Sequence, residues 1–238
     1  MGKPFMFDDV FAINRDLKIE SAGIDDIPAI IVDDYLSDPD RGRSIAGESP
    51  ATNWKTIPDG RNFIDYYDCR LRFPVIFPNP LIDAARQIVQ KVYAIETRPQ
   101  NPSVDVNWFM QISPRRADFA NPHHDVFGNS PRSFTCLVYL NRSDESSGGT
   151  SFFRFRDSGS LVSDRAYSET TQRDARIVES GKDYWPNEPE LFWDRAGDIA
   201  MVPGRLLVFP SEFFHAAWHP EDSFYAFPRL TLAFWLIQ

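Results

Sequence analysis

The chain has 238 residues, 42% of them apolar, enough to bury a sizeable core within one β-rich domain. Its formal net charge of −9 disfavours nucleic acid or an anionic membrane as the main partner, because both require a cationic footprint. Two cysteines, Cys69 and Cys136, make neither a disulfide framework nor a structural zinc site, and they suit a reducing cytoplasm as packing residues.

Aromatic residues make up 14%, with 20 Phe and 6 Trp, which fits packed sheets better than a helical bundle since aromatics favour strands. The 19 prolines point to many short elements. Asp8 and Asp9 interrupt the N-terminus before a signal-peptide hydrophobic region can form. No run approaches the roughly 18 apolar residues of a membrane span, and the Ser or Thr of a myristoylation signal is missing after Gly2. The expectation is a cytoplasmic protein. Oligomeric state has no signature in the sequence.

In chain order, Ile27 to Leu36 reads as a buried strand ending at acidic turn residues. Ser37-Asp38-Pro39-Asp40 then reads as a helix entry with a capping side chain and an early proline, leading into Arg41 to Gly47. Ser49 to Pro80 is rich in proline and aromatics, with a strand-like piece at Phe63 to Tyr67. The clearest helix covers Asn79 to Glu96, where Leu81, Ala84, Ala85, Ile88, Val89, Val92 and Ile95 recur at helical spacing. Residues 1–103 are therefore taken as a strand-and-helix support region of the same domain as a β-rich core over 104–238.

That core begins with a strand over Val104 to Ile112. Phe134 to Asn141 is apolar on both faces, as a fully buried strand is. After a Gly148-Gly149 turn, Thr150 to Phe155 resumes a strand. The polar interval 156–194, with a helix suggested over Tyr167 to Val178, is too poor in apolar residues for a core of its own. It reads as an insertion, either a lid or a solvated decoration. Strands return at Asp198 to Val202 and Arg205 to Phe209 around a Pro203-Gly204 turn, and Arg229 to Leu236 closes the chain. Such a pattern is mainly β with supporting helices and suggests a jelly-roll or double-stranded β-helix core, cupin-like in form.

The chemistry concentrates at Asn121-Pro122-His123-His124-Asp125. On a strand, His123 and Asp125 share a face while His124 points away, so the first two form two-thirds of a 2-His-1-carboxylate metal site. The chain has two other histidines. Alternation puts His215 on one face with Phe213 and Ala217, a small neighbour that leaves space around a metal, whereas His219, against Pro220, reads as a loop residue. On the last strand Arg229, Thr231, Ala233 and Trp235 share one face, and Leu230, Leu232, Phe234 and Leu236 the other. Arg229 beside Thr231 suits bidentate capture of a carboxylate. The competing reading is an ordinary pairing with one of the chain's 34 acidic residues. Trp108, Phe127, Trp185, Trp193 and Trp218 are pocket liners or plain core aromatics.

His123-x-Asp125, Tyr139-Leu140-Asn141, Gly148-Gly149-Thr150, Pro203 to Ser211, His215 and Arg229, in that order, resemble the prolyl-4-hydroxylase-like group of 2-oxoglutarate/Fe(II)-dependent dioxygenases. The resemblance covers about Val104 to Gln238. It implies that His123, Asp125 and His215 bind Fe(II) and that Arg229 binds the distal carboxylate of the cosubstrate 2-oxoglutarate, with Tyr139 and Thr231 assisting. Where many relatives carry a cosubstrate-binding tyrosine upstream of His-x-Asp, this chain has Phe109-Met110-Gln111, and Gln111 is the candidate substitute. Retention of Asp125 favours hydroxylation over halogenation. The implied reaction consumes O2 and 2-oxoglutarate, releases succinate and CO2, and hydroxylates a C–H bond of an amino acid, peptidyl side chain or small metabolite. The alternative is a non-catalytic cupin-like protein holding a metal or ligand, against which the retained arginine argues.

Overall fold

The computed structural model describes residues 11–22, 24, 27–48, 54–56, 70–72, 80–99, 108–112, 122–125, 132–145, 147–173, 191–218 and 229–238. Its elements are β1 (Ile19–Ser21), β2 (Ile30–Val32), α1 (Pro39–Glu48), β3 (Trp54–Thr56), β4 (Arg70–Arg72), α2 (Pro80–Tyr93), β5 (Trp108–Ile112), β6 (Ser133–Tyr139) and β7 (Gly149–Phe155). They continue with α3 (Arg165–Arg173), β8 (Trp193–Ala200), β9 (Leu206–Pro210), β10 (His215–Trp218) and β11 (Arg229–Ile237). The protein is mainly β with few helices. Expectations for Phe63 to Tyr67, Cys69, Phe127, residues 174–190 with Trp185, and His219 fall outside the described residues.

Strand pairing builds two antiparallel sheets. The larger runs β1-β2-β9-β6-β11-β5-β4-β3 and the smaller β10-β7-β8. Both faces of the larger sheet are covered, which is why β6 is buried at nearly every position and reads as continuously apolar. One face carries Val32, Phe134, Cys136, Val138, Val208, Leu232, Phe234 and Leu236 and packs on α2. The other carries Leu137, Tyr139, Leu207, Phe209 and Ala233 and meets Phe152 and Ile199 of the smaller sheet.

The helices follow their sequence signals closely. Asp38 accepts the Arg41 N–H at 3.0 Å and caps α1, whose first residue is Pro39. In α2, Leu81, Ile82, Ala85, Ile88 and Val89 are buried, whereas Val92, assigned to the apolar stripe by spacing, is 47% exposed. The stripe turns away from the sheet in the last helical turn. The Tyr35 hydroxyl donates to the Leu81 carbonyl and ties the chain after β2 to the start of α2.

Two elements differ from expectation. Over Ile27 to Leu36 only Ile30–Val32 is strand, because Asp33 and Asp34 turn the chain and Asp34 adopts a φ of 50°. β8 starts at Trp193, five residues before the predicted strand, and pairs Trp193 with Phe155 and Asp194 with Arg154. Its exposed outer positions carry Asp194 and Arg195, and that polarity hides the strand in the sequence. The described part of 156–173 is attached to the smaller sheet. Phe155 bridges Ser160, Val162 bridges Phe213, and Tyr167 of α3 packs its ring on Phe155, Trp193 and Phe214. Among the described residues no helix is long and apolar enough to cross a membrane.

Candidate metal centre

The segment 122–125 lies along β10. His123 N–H donates to the His215 carbonyl at 3.0 Å and His215 N–H to the His123 carbonyl at 2.8 Å, a reciprocal antiparallel pair. Residues directly opposite in such a pair project to the same face, so register alone brings the two imidazoles together, with ring centroids 4.5 Å apart. Asp125 is two residues on from His123, and its N–H donates to the Ser211 carbonyl at 2.8 Å. One ligand atom each from His123, Asp125 and His215 lies within 4.8 Å of the others. His124 projects the other way, its ring 5.8 Å from Phe214, and burial lowers its pKa.

Hydrogen bonding fixes how the ligands present themselves. His215 Nδ1 is 2.9 Å from the Phe213 carbonyl, which can only accept, so Nδ1 carries a proton. In the neutral ring the Nε2 lone pair then faces Asp125 Oδ2 at 3.5 Å. Nε2 and the Asp125 carboxylate both offer electron pairs, so the arrangement suits a bound cation. Burial of Asp125 opposes ionisation, yet His215, His123 and a Thr135 hydrogen bond outweigh it and hold the carboxyl below its ordinary range. Phe209 stacks edge-on to His215 with centroids 4.7 Å apart, and Phe152 is 5.0 Å from Phe209, so an aromatic wall backs the site.

Further along β11 lies a second polar group in the same inter-sheet layer. Arg229 is only 3% exposed, and its Nη2 donates to Thr150 Oγ1 at 3.3 Å. Its guanidinium carbon sits 5.5 Å from the centre of the Tyr139 ring, and the Tyr139 hydroxyl is 2.7 Å from Thr150 Oγ1. Burial raises the Tyr139 pKa despite Arg229, so the phenol remains a neutral hydrogen-bonding group. Arg229 has no carboxylate partner among the described residues, and buried Arg229 Nε and Thr231 Oγ1 have no hydrogen-bond partner. A buried, uncompensated guanidinium is costly, and the ordinary acidic pairing open from sequence is not present among these residues. Asn141 Oδ1 accepts the Leu230 N–H at 2.6 Å and sets the start of β11.

The sequence-predicted residues thus form two groups, His123 with Asp125 and His215, and Arg229 with Tyr139 and Thr231. Gln111 stands in register with Leu230, in the leucine row, while Met110 is in register with Thr231. Trp193 is 4% exposed and packed among Phe155, Phe214 and Tyr167, on the side of the smaller sheet away from His215. Trp218 lies under Arg195, 5.1 Å from its guanidinium carbon. Sequence reasoning named Thr150, Ser211 and Trp235 without giving them a role in the site, and it passed over Thr135. A buried hydroxyl at an inward strand position was the available signal for Thr135 and Thr150.

Comparison with curated proteins finds no match. Among solved structures, the chain is similar to a prolyl-4-hydroxylase from Pseudomonas putida (14% identity, TM-score 0.42, covering 82% of this chain and 85% of that one). It is also similar to a prolyl 4-hydroxylase from Phytophthora capsici (14%, TM-score 0.47, 90% of this chain and 59% of that one). A third is HygX from Streptomyces hygroscopicus, solved with nickel, 2-oxoglutarate and hygromycin B bound (15%, TM-score 0.47, 90% and 84%). Prolyl-4-hydroxylases and related 2-oxoglutarate-dependent dioxygenases thus recur among its structural neighbours. The model of a family of unknown function, DUF6445, matches residues 14–230, and the chain belongs to that family.

Proposed function

We propose that the protein is an Fe(II)- and 2-oxoglutarate-dependent dioxygenase that hydroxylates a C–H bond of an amino acid, peptidyl side chain or small metabolite. The observation that carries this reading is Arg229. A buried guanidinium with no acidic partner among the described residues, in the same layer as a His-Asp-His group, suits an enzyme with a dicarboxylate cosubstrate. A purely structural metal site has no use for it.

The donor set fits the metal. Two imidazole nitrogens and one carboxylate converge, as non-haem iron sites of the 2-His-1-carboxylate type require, and the Phe213 carbonyl holds His215 in the tautomer that leaves Nε2 free. His123, Asp125 and His215 would hold the ion. Arg229 and Thr150 would bind the distal carboxylate of 2-oxoglutarate, with Tyr139 against the guanidinium and Thr231 offering its unpaired hydroxyl. Gln111, the candidate substitute for the cosubstrate-binding tyrosine, stands on β5 with Leu230 as its register partner. Phe152 and Phe209 would keep water from the inter-sheet space. Bound iron would supply the coupling of 2-oxoglutarate decarboxylation, giving succinate and CO2, to O2-dependent conversion of a C–H bond to an alcohol.

The strand order supports a double-stranded β-helix as the host fold. With β5 taken as first strand, 122–125 as second and β6 to β11 as third to eighth, the larger sheet reads one-eight-three-six and the smaller two-seven-four-five. That is a jelly-roll arrangement.

Anaerobic addition of Fe(II) and 2-oxoglutarate should produce a metal-to-ligand charge-transfer absorption that His215→Ala abolishes. Absence of the band in the wild-type chain, with metal content unaffected by His123→Ala, would sink the oxygenase reading in favour of a non-catalytic metal- or ligand-binding protein. Succinate release screened across amino acids, peptides and metabolites would then identify the substrate.

A further inference from the structure

The connection between β8 and β9 carries a turn that ends opposite Tyr139. Arg205 N–H donates to the Val202 carbonyl at 3.0 Å and Gly204 has a φ of 72°, so Val202-Pro203-Gly204-Arg205 is a type II turn with proline and glycine at its two central positions. Gly204 N–H then donates to the Tyr139 carbonyl at 2.8 Å, and Tyr139 N–H to the Arg205 carbonyl at 3.0 Å. Two residues thus oppose one, a glycine bulge next to the regular pair of Val138 with Leu206. Because β8 and β9 belong to different sheets, the bulge is not needed to close a hairpin.

Arg205 holds the bulge from outside. Its guanidinium forks the Asp33 carboxylate, Nε donating to Oδ1 and Nη2 to Oδ2 at 2.9 Å, while Nη1 donates to the Ala200 carbonyl at 2.8 Å. The fork holds the Asp33 carboxyl below its ordinary range. Leu36 N–H donates to the Gly204 carbonyl at 3.2 Å. The stretch after β2 therefore grips both residues of the bulge. An ion pair on a half-exposed aspartate adds little stability by itself, but its fixed geometry sets the backbone opposite Tyr139.

We propose that Asp33 and Arg205 are positioning residues for the cosubstrate anchor, which act through the Gly204-Arg205 bulge to hold Tyr139 so that its hydroxyl meets Thr150 beside Arg229. The inference rests on the 2-oxoglutarate reading of that group and deepens it. Tyr139 is the last residue of β6, where a strand tends to fray, and its hydroxyl stands at the end of a rigid ring that magnifies any tilt of the backbone. Binding groups must be held to about 0.5 Å to work together. The Tyr139 hydroxyl is 2.7 Å from Thr150 Oγ1, which also accepts Arg229 Nη2 at 3.3 Å, so a displaced phenol disturbs the whole group.

The test is calorimetric titration of the full chain, loaded with Co(II) as a stand-in for Fe(II), with 2-oxoglutarate. Asp33→Ala and Arg205→Met should each leave Co(II) binding unchanged and weaken 2-oxoglutarate binding by about 2- to 30-fold, the range for residues that act through a packed network. A merely structural role would not depend on the Tyr139 hydroxyl. Tyr139→Phe should itself bind 2-oxoglutarate more weakly, and adding Asp33→Ala to it should cause no further loss. Wild-type affinity for 2-oxoglutarate in either Asp33→Ala or Arg205→Met overturns the proposal. So does a loss of Co(II) binding of the same size, or a loss that persists undiminished in the Tyr139→Phe background. If Arg205→Met does not fold, Asp33→Ala decides on the same criteria. Arg229→Met separates the two levels. If it loses 2-oxoglutarate binding while Asp33→Ala and Arg205→Met keep it, only this inference falls. If it binds 2-oxoglutarate like the wild type, or the wild type binds none, the cosubstrate reading falls too.

Discussion

At the level of single residues, the site is built from buried polar groups, some of which lack a partner among the described residues. Arg229 is the sharpest case, since the described residues offer it a hydroxyl and a ring face but no counter-charge. Replacing it with methionine keeps the apolar stem and removes the charge. Arg229→Met should leave Co(II) binding intact and weaken 2-oxoglutarate binding by at least about 30-fold, the lower end of losing one partner of a buried charge pair. Without cosubstrate, its melting temperature should equal or exceed wild type, because an unpaired buried charge has been removed. Calorimetric titration of the Co(II)-loaded chain and a thermal melt check both halves. His123 and His124 teach a related lesson. They are chemically identical neighbours, and strand parity alone sends one toward Asp125 and the other onto Phe214.

Among the elements, β7 is the joint of the smaller sheet, pairing with β10 on one side and β8 on the other. It begins at Gly149, where a Cβ would lie 1.9 Å from the Ile199 carbonyl oxygen. That atom belongs to the backbone of β8 and cannot yield without parting the strands. Gly149→Ala should therefore destabilise the protein by about 2 kcal/mol or more, and it should also weaken cosubstrate binding because Thr150 is the next residue. Urea unfolding measures the first effect, and an unchanged midpoint would show that the strands can part cheaply. Gly204 has a φ of 72° that fits the predicted Pro203-Gly204 turn between β8 and β9. β8 itself was only partly legible. Its inward residues are few, its exposed positions carry charge, and the alternation that marks a half-buried strand is broken by a bulge opposite Phe152 and Phe153.

For the whole molecule, the larger sheet faces α2 on one side and the smaller sheet on the other, and the polar groups of the site lie in the layer between the sheets. Ligands bound there touch both sheets, so occupancy should be linked to global stability. Metal plus 2-oxoglutarate at about 100 times their dissociation constants should contribute about 2.7 kcal/mol per site and raise the melting temperature by several degrees. His215→Ala should lose the metal increment and Arg229→Met only the cosubstrate increment. Equal shifts in both variants would mean that the ligands bind elsewhere.

Periodicity and composition were enough to identify the β-rich class, the stripe of α2, the capped start of α1, the leucine and arginine rows of β11, and the opposite facing of His123 and His124. These are local properties, set by side-chain alternation and helical repeat within one element. Only the tertiary structure decided which rows meet. The pairing of His123 with His215 across about 90 residues, the approach of Thr135 and Trp235 to one oxygen of Asp125, and the lack of a described counter-ion for Arg229 arise from register between distant strands. A one-residue slip in any of those registers would turn the same residues to the opposite face, and no single strand records the register of its partner.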